Sequence, residues 1–186
     1  MNIFIRIFNV LFKSKNINIE KGGYVMTGKY CVDDVARFII NYCNDQKYII
    51  SNLKLQKILY FVQAKFLTEM PYPCFSEDIE AWNFGPVVPQ IYNEYKIYGS
   101  GHIPKIETYF KYNKDDYFSM KKYYYTPDVI SEDDQPLITS MVDTCSHYSA
   151  SQLVTITHKQ APWRNAFSPY LNNVITKESI KSFFEE

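Results

Sequence analysis

Residues 51–70 read SNLKLQKILYFVQAKFLTEM, and the fold turns on how that stretch is read. Leu55, Ile58, Leu59, Val62, Phe66 and Met70 recur at steps of three and four, the repeat that lines up apolar side chains along a helix. Ser51 suits an N-cap, because its hydroxyl can accept a backbone N–H that the first turn leaves unpaired. Pro71 and Pro73 end the run. The spacing predicts a central helix near 52–70, with Lys54, Lys57, Lys65 and Glu69 on its remaining surface. A second stripe, Gln56, Tyr60 and Gln63, runs beside the apolar one. It reads either as a solvated shoulder or as a hydrogen-bonding ridge beneath the proline-rich residues 85–89.

Those prolines belong to residues 80–99, EAWNFGPVVPQIYNEYKIYG. Gly85-Pro86 reads as a turn, and Pro86 and Pro89 fit a first helical turn, where amide donors are spare. Val88, Ile91, Tyr92, Tyr95 and Tyr98 keep helical spacing up to Gly99, a suitable stop. Trp82 is expected to fold its ring over the start of this helix. Residues 77–81 are expected to add a strand or an extended bridge.

Upstream, Val32, Val35, Ala36, Ile39 and Cys43 predict a helix near 32–44, with Asp33 and Asp34 at its positive end. Downstream, IETYFKY and YFSMKKYYY flank Asn113–Asp116 and predict a hairpin within 103–126. Ser131 with Asp134 resembles an N-terminal capping arrangement for a helix near 132–146, and Ser149 with Gln152 forms a better capping box for SASQLVTITH. A last helix from about Thr176 should bury Ile180, Phe183 and Phe184. The sum is a mainly α, single helical domain around the 52–70 helix, with a small extended or hairpin element.

Composition excludes several classes. The chain has 186 residues, 46% apolar and 22% charged, which is enough for one core and argues against disorder. Its 17 tyrosines and 13 phenylalanines accompany abundant Asn, Ile and Lys, a bias expected of AT-rich coding. A formal net charge of zero argues against a nucleic-acid partner, since such affinity comes largely from neutralised phosphates. Cys31, Cys43, Cys74 and Cys145 have no CxxC spacing, and His102, His147 and His158 form no zinc pair, so no metal or cofactor is expected. Four lone thiols fit a reducing cytoplasm, with core packing as their role.

The opening MNIFIRIFNVLF is too short to span a bilayer, which needs roughly 20 apolar residues, and it lacks the charged n-region of a secretory signal. Glu20-Lys21-Gly22-Gly23 can be encoded by a purine run containing GGAGG, a short distance before Met26. This predicts that residues 1–25 are an extension and that the natural protein begins at Met26. A native N-terminal peptide mapping upstream of Met26 refutes that. The alternative is an amphipathic leader lying on a membrane surface.

Chemistry finds little to work with. GSGH at 99–102 lacks the context and the lysine of a phosphate-binding loop, and no serine sits in a G-x-S-x-G elbow. His158 lies at the end of the capped helix, where it could bond the last carbonyls and complement the dipole, or serve a functional contact. Trp82 and Trp163 read as core anchors or as interface hot spots. No catalytic residue is assigned, and the chain is not expected to be an enzyme.

Taken in order, SNLKLQKILYFVQA, EAWNFGPVVPQIYNEYKIYG and LVTITHKQAPWRNA closely resemble the Panacea-domain family, which includes SocA-like antitoxins and phage-associated GepA proteins. The resemblance covers roughly residues 32–184. It implies a mainly helical antitoxin of a toxin–antitoxin pair, often carried on prophages or other mobile elements, that neutralises its toxin by direct protein–protein contact. One branch delivers the toxin to a cytoplasmic protease instead. The positions that match the family are Leu55, Gln56, Lys57, Tyr60 and Gln63, then Trp82, Gly85, Pro86, Val87, Pro89 and Tyr92, then His158, Pro162 and Trp163. They are expected either to bind the partner or to hold the scaffold. The implied partner is a cognate toxin encoded next door, with no membrane and no cofactor. Toxin choice is expected to fall to less constrained surface such as 103–126.

Overall fold

The computed structural model describes residues 27–113 and 116–185. The readings of the N-terminal extension and of the 114–115 hairpin tip fall outside them. Among the described residues the chain is mainly helical, with a three-stranded and a two-stranded antiparallel sheet. No described helix is long and apolar enough to cross a membrane.

Helix α1 (Val32–Asp45) buries the stripe read from the sequence, and Asp33 and Asp34 occupy its first turn. Cys31, just before it, is exposed, whereas Cys43, Cys74 and Cys145 are buried free thiols. Core packing therefore holds for three of the four cysteines. The loop after Gly99 is pinned to α1 by Asn41, which exchanges two hydrogen bonds with the backbone of Ile106 at 2.7 and 2.8 Å.

Helix α2 (Asn52–Glu69) starts where expected, with the Ser51 hydroxyl accepting from the Lys54 amide. Its surroundings differ from the expectation. Every residue from Lys54 to Thr68 is buried, because α2 is packed on several sides rather than along one stripe. The lysines assigned to an outer surface fold inward along their aliphatic stems and spend their amines locally. Lys54 donates to the Ser146 carbonyl and Lys65 to Glu69 four residues on, while Lys57 is wholly buried.

Strands β1 (Ile79–Trp82) and β2 (Gly85–Val87) form a hairpin around Asn83-Phe84, with Trp82 opposite Gly85 and Ala81 opposite Pro86. Pro86 is thus a strand residue and not part of a helical turn. It is tolerated because β2 is an edge strand of its sheet, where a missing donor breaks no ladder. Pro89 does open a helix, α3 (Pro89–Tyr95), which tightens into a 3-10 turn over Lys96–Tyr98 and stops at Gly99 with φ +56°.

The second hairpin pairs β3 (Thr108–Asn113) with β4 (Asp116–Tyr124), Tyr109 facing Tyr123 and Lys111 facing Lys121. It is fastened to α1 by the Arg37 guanidinium, which lies 3.9 Å from the Tyr109 ring centre, and by Lys111 3.4 Å from Asp34. Arg37 is itself buried and donates to Asp34 at 2.8 Å.

Helix α4 (Gln135–Ser146) lacks the expected cap. The Asp134 carboxylate instead receives Lys29 at 2.8 Å and the Tyr30 hydroxyl at 2.7 Å, and the Ser131 hydroxyl lies 2.8 Å from that of Tyr30. These polar groups tie residues 29–30 to α4, a long-range use that local spacing does not reveal. Helix α5 (Ala150–His158) carries the complete Ser149–Gln152 capping box. It is followed by α6 (Ala161–Ala166), by β5 (Val174–Ile175) pairing with β1, and by α7 (Lys177–Glu185). Ile180 and Phe184 are buried from α7, and Phe183 only partly.

Candidate functional site

The three sequence motifs meet where the β1–β2 hairpin crosses α2 and α5. A backbone running through Gly85, Pro86 and Val88 leaves polar groups that no regular ladder satisfies, and side chains of α2 take them up. Gln56 accepts the Val88 amide at 2.9 Å and donates to the Asn52 side chain at 2.9 Å. Asn52 in turn donates to the Tyr92 carbonyl at 3.0 Å. Lys57, one residue along, donates to the Pro86 carbonyl at 2.8 Å.

The ridge reading of Gln56, Tyr60 and Gln63 therefore holds in part, and the solvated-shoulder reading does not, since all three are buried. Gln56 supports the proline segment. Gln63 serves a different strand of chain, exchanging bonds with the Phe75 carbonyl at 2.8 Å and the Phe75 amide at 3.2 Å. The Tyr60 hydroxyl is buried with no hydrogen-bond partner, its ring packed against Phe61 and Phe184.

Lys57 is the residue whose role the sequence pattern hid. It has no carboxylate partner among the described residues. Burial alone pushes its amine down to about 7. The available signal was its place between Gln56 and Ile58 on a helix facing two prolines, where free carbonyls need donors. Lowered lysines do serve as nucleophiles elsewhere. This one is enclosed and already spent on Pro86. The contact is tight: a Cβ placed on Gly85 would meet the Thr157 hydroxyl at 2.8 Å and Lys57 Cε at 2.9 Å, and Gly85 has φ +96°.

The third motif closes the site from α5 and α6. The Trp163 indole N–H donates to the Trp82 carbonyl at 3.0 Å. Its ring stacks on His158 at 3.9 Å between centroids and on Phe167 at 4.6 Å. His158 thus packs on the tryptophan instead of capping α5, and its Nε2 is buried without a partner. Burial first, and then the nearby Lys57, hold the imidazole below its usual range and favour its neutral form. Pro162 is buried in the first turn of α6.

Trp82 does fold over the start of α3, its ring edge-on to Tyr92 at 4.9 Å, while its indole donates to Glu80 at 2.7 Å. Gln56, Tyr60, Gln63, Gly85, Pro86, Pro162 and Trp163 are buried; Trp82, Pro89 and His158 are half-buried; Tyr92 is exposed. Gln56, Trp82 and Tyr92 also line a groove of about 470 Å³ on the outer side of the junction. The arrangement holds the β1–β2 turn rigidly in place. Among the junction's own residues it assembles no hydrogen-bonded nucleophile–base pair.

Comparison with known proteins adds two findings. Residues 55–164 match the model of the family described as antitoxin SocA-like, Panacea domain. The chain is also 35% identical over 115 residues to the protein named Antitoxin SocA of Caulobacter vibrioides (strain NA1000 / CB15N), a match spanning 61% of this chain and 58% of that relative. No solved structure matches. The matched span contains every motif residue that builds the junction, and on that ground the chain belongs to the SocA-like antitoxin family of Panacea-domain proteins.

Proposed function

We infer that this chain is the antitoxin of a toxin–antitoxin pair and that it acts by occupying the surface of its toxin. The observation that carries the reading is the family match across residues 55–164, which takes in most of the α2–hairpin–α6 junction. On this reading, residues from Met26 onward form one domain organised on α2, working in the cytoplasm. The buried motif residues hold the scaffold, and the choice of toxin belongs to exposed surface. Hairpin β3–β4 offers one such surface, with Phe110, Met120, Lys122 and Tyr124 all exposed.

The test is co-expression with the protein encoded by the adjacent reading frame. Growth should be restored only when the antitoxin is present in amounts comparable to the toxin. Rescue by a trace amount would indicate an enzyme and overturn the reading. Toxin half-life separates the two modes of action: masking leaves it unchanged or longer, whereas delivery to a protease shortens it. Exchanging residues 103–126 with those of a relative should move toxin choice, and an unchanged choice removes the hairpin from that role.

A further inference from the structure

Beside the buried junction lies the groove of about 470 Å³, within the size range of ordinary ligand pockets. Trp82, Phe84, Tyr92 and Leu171 supply apolar lining. Phe84, at the tip of the β1–β2 turn, is 68% exposed, and Leu171 is 55% exposed. Tyr170 is fully exposed and sits at φ +66°, a left-handed conformation that side chains other than Gly, Asn and Asp seldom adopt. Its ring and hydroxyl have no partner among the described residues. Local backbone preference and local packing both disfavour that placement, so an aromatic held out in this way points to an outside contact.

The polar lining narrows the occupant. Asn52 and Gln56 are committed to the Tyr92 and Val88 backbone. Asn83 and Asn172, also lining the groove, have no side-chain partner among the described residues and are free to bond a peptide backbone. Lys96 is the charged residue of the lining, and no aspartate or glutamate joins it. Among the described residues it bonds only the Asn93 side chain, at 3.0 Å, whereas five other described lysines are paired with carboxylates. Glu80 lies outside the lining, one oxygen of its carboxylate accepting the Trp82 indole N–H at 2.7 Å.

We propose that this groove binds a short segment of a partner protein in which aromatic or aliphatic side chains are accompanied by a carboxylate. The apolar residues seat against Trp82, Phe84 and Tyr92, the carboxylate pairs with Lys96, and the segment's backbone bonds Asn83 and Asn172. That the segment belongs to the toxin rests on the antitoxin reading; the chemistry of the segment does not.

Two arms separate these claims. In the first, random dodecapeptides displayed on phage are selected on the full chain. Selected peptides should be rich in Leu, Phe or Trp together with Asp or Glu. They should bind the double variant Phe84→Ser, Tyr170→Asn at least about tenfold more weakly, as expected for aromatic anchors. Lys96→Glu should turn the selection toward basic peptides. All three positions are exposed and asparagine suits the left-handed backbone at 170, so circular dichroism should stay at its wild-type value and the urea midpoint should not fall. No enrichment, equal binding to the double variant, or an unchanged acidic preference with Lys96→Glu overturns the proposal. In the second arm, the wild type and the double variant are co-expressed with the adjacent-frame toxin. Wild-type rescue lost in the double variant places the toxin in the groove. Rescue kept by the double variant removes the toxin from the groove and leaves the antitoxin reading standing. Failure of the wild type to rescue defeats the antitoxin reading, and the peptide arm alone then decides the groove.

Discussion

The ammonium of Lys57 and the carbonyl of Pro86 lie 2.8 Å apart in the buried junction, and no carboxylate among the described residues shares the contact. An amine placed there makes its hydrogen bond but loses the hydration of its charge.

Stability should therefore rise with pH from about 7 to about 8. Lys57 releases its proton near 7 when folded but near 10.5 when unfolded, so between those values the unfolded chain holds more protons. Linkage then makes the folded state more stable as pH increases, by up to about 1.4 kcal/mol per pH unit for one such group. Lys54, lowered less strongly by burial, adds to the same slope. Above about 8 the gain should shrink and then reverse, because Cys43, Cys74 and Cys145 are pushed up in the fold and their unfolded thiols ionise first. Urea midpoints of the wild type and Lys57→Met at pH 7, 7.5 and 8 check this. The wild type should gain across the series and the variant should lose most of that gain; equal slopes would mean that Lys57 stays charged.

Gly85→Ala should cost about 2–4 kcal/mol, since the new methyl must adopt φ +96° and also displace Thr157 or Lys57. Gly99→Ala is the control. Gly99 also has positive φ, but nothing lies within 4 Å of a Cβ there, so only the backbone strain, about 1–2 kcal/mol, is expected. Similar losses in chemical denaturation would show that the hairpin can ride away from α2.

Much of this fold was legible because its signals are local. The Ser149–Gln152 box, the proline at the start of α3 and the stripe of α1 each lie within a few residues of the structure they specify. The failures share a physical cause in long-range pairing. Lys54, Lys57 and Lys65 look like an outer helix face until the elements packed on α2 cover them. Ser131 and Asp134 mimic a cap, yet their partners Lys29 and Tyr30 are about a hundred residues away in sequence. Gln63 bonds Phe75 and not the proline segment for the same reason, since Phe75 carries no local signal of needing a side-chain partner. Of the site, the participating residues were visible as a motif; which of them face solvent was not.

Gln63→Leu should cost about 2–4 kcal/mol, because it strips the Phe75 amide and carbonyl of their partner in a buried setting. A leucine fills most of the volume, so the loss comes from the two unpaired backbone groups. Thermal denaturation of the purified variant measures it. A loss under about 1 kcal/mol would mean that water reaches Phe75 once the amide is gone.

Trp163→Phe tests whether the third motif anchors the first hairpin. The phenyl ring keeps a stacking surface for His158 and Phe167 but has no N–H for the Trp82 carbonyl, 3.0 Å from the indole. One neutral hydrogen bond lost this way should lower global stability by about 1–2 kcal/mol. The more telling effect is local. Trp82 lies opposite Gly85 in the β1–β2 register, so releasing its carbonyl should loosen the turn that carries Phe84 before it loosens α2. Hydrogen exchange at residues 83–87 should accelerate beyond what the global loss accounts for, while amides inside α2 follow the global change alone. If both regions accelerate equally, the indole is a core filler and the hairpin is held by Lys57 and Gln56 without it.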